Sequence, residues 1–272
     1  MLFRFVAGNK LNDALKLGNN YLKKNKIPII NYISENNKKK EDCFNEYKNL
    51  ISNININYII ALKLSSLDFN KLLINEIAIK CKKNNLKLII DAENDENIEK
   101  YRTIVNNLLK TYNNDNLTII KTYQMYRKDS MDELNDDIKY FNTINNFFSA
   151  KLVRGAYWNS EYNSGNLYIN KFETDNNYNN GIIKCHENIN SDYILATHNK
   201  ESIQIALNFN KENIIIAHLM GMNENYMSKI DNIDNINIKK ACYIPYGPYN
   251  EMIPYLGRRL YENIDQIKYS IL

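Results

Sequence analysis

The stretch Leu86-Lys87-Leu88-Ile89-Ile90-Asp91 is a short apolar run, rich in β-branched residues, that ends on a carboxylate. A run of this length, too short for a buried helix, reads as a strand. Because it is nearly continuous rather than alternating, both of its faces must be covered, as in a parallel sheet under helices. Working outward, the same kind of run returns at roughly 30-residue spacing. Before it come Pro28-Ile29-Ile30-Asn31-Tyr32-Ile33 and Tyr58-Ile59-Ile60-Ala61-Leu62-Lys63-Leu64. After it come Leu117 to Thr122, Phe147 to Val153, Tyr193 to Thr197, Ile214 to His218 and Lys240 to Ile244. Eight such runs, separated by amphipathic helical segments, predict an α/β fold of the (βα)8 TIM type. An extra helix from Leu11 to Lys24 precedes the first strand and is expected to plug the bottom of the barrel.

The chain has 272 residues, a length that suits one barrel domain over 1–272, and no break in composition suggests a second. A net charge of +4, with lysines interspersed among Asn and Glu, argues against nucleic-acid binding. Four cysteines, none in a CxxC pair, argue against a disulfide framework and fit a reducing compartment. Three histidines without HExxH or HxH spacing point to no metal site. No apolar run is long enough to span a membrane, and the opening Met1 to Val6 does not resemble a signal peptide. The expected location is cytoplasmic or peripheral at a membrane surface. GxGxxG, P-loop and nucleophile-elbow patterns are all missing, which leaves a bound organic cofactor as the chemical agent.

Chemistry in such a barrel sits where strands end. The strand ends offer Lys63, Asp91, Glu93, Gln124, Lys151, Arg154, Gly155, Tyr157, Trp158, Thr197, His198, Asn199 and Tyr243. Near the C-terminus, Pro254-Tyr255-Leu256-Gly257-Arg258-Arg259-Leu260-Tyr261-Glu262-Asn263 reads as a helix following the last strand, over the barrel mouth. Plainer readings stand beside these. Lys63 also reads as a snorkelling or Asp91-paired lysine, Asp91 as a helix N-cap, and the arginines as complements of the helix dipole. Taken together, several cations, an amide and aromatics with few acids describe a pocket for an anionic ligand with a planar part. The wide gap after the fifth strand, from Tyr157 past Thr174 to Asn180, reads as material for a lid.

The runs Lys151-Leu152-Val153-Arg154-Gly155-Ala156-Tyr157-Trp158 and Pro254-Tyr255-Leu256-Gly257-Arg258-Arg259 resemble those of the proline dehydrogenase family, a family of flavin-dependent barrels. So do Phe5-Val6-Ala7-Gly8, Leu62-Lys63-Leu64-Ser65, Ile90-Asp91-Ala92-Glu93, Thr122-Tyr123-Gln124, Ala196-Thr197-His198-Asn199 and Leu219-Met220-Gly221-Met222, in order along nearly the whole chain. The resemblance implies FAD as cofactor and oxidation of L-proline to pyrroline-5-carboxylate. A quinone-type acceptor and a pyrroline-5-carboxylate dehydrogenase as partner are also implied. It assigns the proline carboxylate to Lys63, Arg258 and Arg259, the ring walls to Tyr243 and Tyr255, and orientation of the cations to Asp91. Gln124 and Lys151 fall to the flavin ring. The rest of FAD falls to Arg154, Gly155, Ala156, Trp158, Thr174, Thr197, His198, Asn199 and Glu262. Glu35 matches an acid that closes over the site.

Three departures from the family pattern stand out. Ala217 and His218 occupy a place where glutamine is frequent near the flavin, Asn31 replaces a frequent aspartate, and Gly257 interrupts the arginine helix. Hydroxyproline as substrate, or a barrel that binds an amino acid without turnover, are the alternatives. Tyr243 beside the ring would disfavour a ring hydroxyl.

Overall fold

A computed structural model describes residues 2–34, 39–222, 224–233 and 235–262; its side chains are described as far as Gly257 in the last helix. Eight parallel strands close into a barrel in sequence order. They are β1 (Lys26–Tyr32), β2 (Ile59–Lys63), β3 (Lys87–Asp91), β4 (Ile119–Gln124), β5 (Ala150–Val153), β6 (Tyr193–Ala196), β7 (Ile214–Leu219) and β8 (Lys239–Tyr246). β1 and β8 pair from Lys26↔Lys240 to Tyr32↔Tyr246, which closes the ring without an edge.

The helices are α1 (Leu11–Leu22), α2 (Lys40–Asn53), α3 (Lys71–Lys83), α4 (Ile98–Tyr112), α5 (Ser130–Thr143), α6 (Trp158–Glu161), α7 (Lys171–Asn188), α8 (Lys200–Phe209), α9 (Glu224–Asp231) and α10 (Tyr249–Glu262). Each long helix turns an apolar stripe to the sheet. In α4 the stripe is Ile98, Tyr101, Ile104, Val105, Leu108 and Leu109, all buried at helical spacing.

Strand side chains alternate between two cores. Ile29, Ile59, Ala61, Ile89, Ile120, Ile194, Ile215, Ala217 and Ala241 fill the barrel interior. Their sequence neighbours, such as Ile30, Ile60, Leu62, Leu88 and Ile90, join the layer between strands and helices. Burying one Leu or Ile fully contributes about 1.5–3 kcal/mol, so this outer layer is the larger source of stability.

Two expectations need correction. α1 does not plug the bottom. It packs on the outer wall against β1 and β8, with Leu11 and Ala14 in the outer core. A Cβ at Gly18 would come within 2.7 Å of the Tyr58 ring and 3.3 Å of Pro28, so the missing side chain lets α1 approach closely. α10 leaves the wall to cross the mouth, where Met252, Tyr255 and Leu256 pack with Phe5, Val6, Ile33 and Met222, and α1 covers the flank beside β8.

The gap after β5 is not loose either. Its longest element is α7, capped by Asn170, whose side chain accepts the Glu173 N–H, and the polar Asn177, Tyr178 and Asn179 are buried.

Candidate active site

Strand parity builds the site. Lys63 follows Ile59 and Ala61 in phase, Asp91 follows Ile89, Gln124 follows Ile120, and Tyr243 follows Ala241, so all four point into the barrel at its C-terminal rim. Lys151 is in phase with them, because its neighbours Ala150 and Leu152 face the outer core. Asp91 sits at the centre. One carboxylate oxygen accepts from Lys151 Nζ and the other from the Tyr243 hydroxyl. Lys151 Nζ also lies 5.0 Å from the Tyr243 ring centroid. Burial, and then the Asp91 charge, push the Tyr243 hydroxyl well above its usual range, so it stays a neutral donor. Asp91 is therefore no N-cap; the helical turn that follows β3 is preceded instead by Asn94.

Lys63 stands beside Asp91 in register, with Nζ 5.2 Å from the Tyr157 ring centroid. Tyr157 donates to the Ala92 carbonyl at 3.2 Å. Glu93, 3% exposed, accepts the Ser65 N–H at 2.8 Å; burial raises its carboxyl, and Lys63 partly offsets that. Gln124 donates to the Glu93 carbonyl at 3.0 Å, while its own Oε1 is buried with no partner among the described residues.

A second group lies on the β5–β6 side. Arg154 donates from Nε to Asp175 at 2.6 Å, from Nη1 to Thr197 at 2.7 Å and from Nη2 to Ser202 at 3.0 Å, with its plane 4.4 Å over Tyr178. Burial alone would raise Asp175, but hydrogen bonds from Lys171 and Arg154 outweigh it and hold the carboxyl low. Thr174 precedes Asp175 on the first turn of α7 and is 9% exposed. His198 accepts the Leu219 N–H at Nε2, 3.1 Å away, which places its ring proton on Nδ1. Asn199 caps α8. Gly155 has φ +141 and, with Ala156, is exposed; Trp158 is 41% exposed beside Tyr162.

Tyr255 is buried on α10, close enough to Tyr243 to help raise its hydroxyl further. The side chains of Arg258, Arg259 and Glu262 lie outside the described residues, as does Glu35. Asn31 points inward and donates to the Ala61 carbonyl at 3.2 Å. Ala217 faces the interior and His218 the outer side, where its ring meets Tyr21 of α1. Burial, helped by Lys26, lowers His218 to about 4, so it is a neutral core histidine. Asp175 and Ser202, which hold Arg154, are not among the residues that the sequence singles out. Only Asp175 left a trace in the sequence, four residues after Lys171 on one helix face.

A closed barrel whose rim gathers lysines, a carboxylate, tyrosines and an amide belongs to the class of (βα)8 proteins with a ligand site at the strand C-termini. The profile described as Proline dehydrogenase matches residues 16–269, and the chain belongs to the proline dehydrogenase family. It is 27% identical over 209 residues to "Proline dehydrogenase 1, mitochondrial" of Drosophila melanogaster, covering 67% of this chain and 30% of that protein. It is 30% identical over 211 residues to "Proline dehydrogenase 2, mitochondrial" of Arabidopsis thaliana, covering 70% of this chain and 44% of that one. The chain thus matches less than half the length of either relative. Among solved structures, proline utilization A from Bdellovibrio bacteriovorus superposes with a TM-score of 0.86 at 20% identity, over 96% of this chain and 32% of that one, a likeness of fold. No helix among the described residues is long and apolar enough to cross a membrane.

Proposed function

We propose that this barrel binds FAD and oxidises L-proline to pyrroline-5-carboxylate, with a quinone-type acceptor and a pyrroline-5-carboxylate dehydrogenase downstream. The observation that carries the reading, beside family membership, is the Lys151–Asp91–Tyr243 cluster at the barrel mouth. The donor set fits a flavin. Gln124 Oε1 is a buried acceptor that lacks a donor among the described residues, and an isoalloxazine imide N–H is a donor of the right kind. Gln124 and Lys151 would hold the ring, and Arg154, Gly155, Ala156, Trp158, Thr174, Thr197, His198, Asn199 and Glu262 the remainder. When bound, FAD supplies a two-electron acceptor that takes a hydride from the substrate.

The chain's own residues do the rest. Lys63, with Arg258 and Arg259 on α10, clamps the substrate carboxylate, and paired guanidiniums suit two oxygens. Orientation by that clamp is the main source of rate. Asp91 accepts from both Lys151 and Tyr243 and so fixes the cation and the ring wall relative to each other. Lys151, 6% exposed, places a positive charge where negative charge develops on reduction. Tyr243 and Tyr255 wall the pyrrolidine ring and leave little room for a hydroxyl.

Adding FAD to purified protein, desalting, and then adding imino acids anaerobically tests the proposal. The expected result is a yellow protein bleached by L-proline and poorly by hydroxyproline. A protein that retains no flavin, or retains it unbleached, contradicts the reading.

A further inference from the structure

Glu161 ends the short helix α6, in the connection after β5, and yet is 5% exposed. Its Oε1 accepts the Asp95 N–H at 2.6 Å, its Oε2 accepts the Tyr126 hydroxyl at 2.5 Å, and Arg127 Nη1 lies 3.9 Å from Oε2. Arg127, 3% exposed, donates in turn to Asp95 at 2.7 Å and to Asp129 at 3.1 Å. One buried carboxylate therefore ties together the connections that follow three successive strands, β3, β4 and β5.

The backbone is fastened at the same place. Tyr126 N–H donates to the Arg154 carbonyl at 2.7 Å, Lys128 N–H to Asn166 at 2.9 Å, and Tyr168 N–H to Tyr126 at 2.8 Å. Arg127 and Leu167 form an antiparallel bridge. The Tyr126 ring that Glu161 holds lies against Gly155, where an added Cβ would come within 2.2 Å of it. Glu161 thus sets the ring, and the ring sets the path of the chain from Gly155 to Trp158.

We propose that Glu161 is a positioning residue for the cofactor: by bonding Asp95 and Tyr126 it holds the segment 155–168 in its binding shape before FAD arrives. This rests on the flavin reading above. A segment ordered in advance spares the ordering entropy that binding would otherwise cost. Burial of a carboxylate that a four-residue helix could leave in water is sustained here by its three polar neighbours.

The test is hydrogen exchange of the unloaded protein together with FAD titration, for wild type, Glu161→Ala and Glu161→Gln. Gln keeps an oxygen for the Asp95 amide and a polar group opposite Tyr126. Loss of a buried, charge-assisted hydrogen-bond pair in Glu161→Ala should speed exchange within 155–168 by about tenfold or more and weaken FAD binding by about tenfold, with strand amides unchanged. Glu161→Gln should restore both to within about threefold of wild type. Unchanged exchange in 155–168, or faster exchange spread over the strands in both variants, overturns the proposal. So does FAD affinity in Glu161→Ala equal to wild type. Wild type that binds no FAD removes the flavin reading as well, whereas wild-type binding with an indifferent Glu161→Ala removes this proposal alone.

Discussion

Two clusters in this barrel use the same three residue types and differ in what surrounds them. On the outer face of β4, Lys121 is fully buried, 2.5 Å from Asp137, 2.8 Å from Glu133 and 2.8 Å from Asn106, and Tyr123 donates to Asp137 at 2.7 Å. At the mouth, Lys151, Asp91 and Tyr243 form the second lysine–aspartate–tyrosine set. The outer lysine meets three oxygens and lies under α5. The inner one has a hydrogen bond to Asp91 alone among the described residues. A saturated buried cluster locks two elements together, whereas an unsaturated one at a barrel mouth keeps capacity for a ligand.

The largest expected contrast is in stability. Lys121→Ala leaves the buried Asp137 without its cation, although Arg102 still bonds Glu133, and should cost about 3–5 kcal/mol in urea unfolding. A loss under ~1 kcal/mol would break the comparison, because the outer cluster would then not be structural. The hydroxyls come next. Tyr243→Phe strips one Asp91 oxygen of its donor and should cost about 1–2 kcal/mol. Tyr123→Phe should cost less, since Lys121 still bonds the same Asp137 oxygen. Equal losses would show that the two carboxylates are equally served.

Both tyrosines are raised well above their usual range, by burial first and then by the neighbouring aspartate. A folded-state value above the unfolded one means that the stabilisation is complete below pH about 10 and is lost as pH rises beyond it. Unfolding free energy should therefore fall at alkaline pH, and each Phe variant should flatten that slope; a slope unchanged in both variants would contradict the assignment. The smallest effect belongs to α10. A Cβ at Gly257 would meet nothing within 4 Å among the described residues, so Gly257→Ala should raise stability by about 0.5–1 kcal/mol in thermal unfolding.

The two clusters also mark what could be read from the chain. Ile119-Ile120-Lys121-Thr122-Tyr123-Gln124 already separates Lys121 from Gln124, since an odd spacing in a strand puts them on opposite faces. The eight strands were legible because each is a nearly continuous apolar run, and most rim residues because they follow interior residues in phase. Other features depend on partners distant in sequence, which strand periodicity does not encode. The seat of α1 depends on β8 and on Tyr58, 39 residues from its partner Asn19, and the grip on Arg154 depends on Asp175 and Ser202, 21 and 48 residues away. The wide stretch after β5 read as material for a lid, but Asn177 and Asn179 within it are buried and hydrogen-bonded. Asn177, for example, donates to the Met125 carbonyl at 2.8 Å and to Ser130 at 2.9 Å.

The central claim is that the inner cluster serves redox chemistry on proline. The rate of anaerobic flavin reduction by L-proline, measured by stopped flow in FAD-loaded wild type and Lys151→Met, tests it most directly. Removing a buried cation that stabilises developing charge should slow reduction by about a hundredfold with FAD still bound. Reduction in Lys151→Met at the wild-type rate, or no reduction by proline in wild type, would contradict the account.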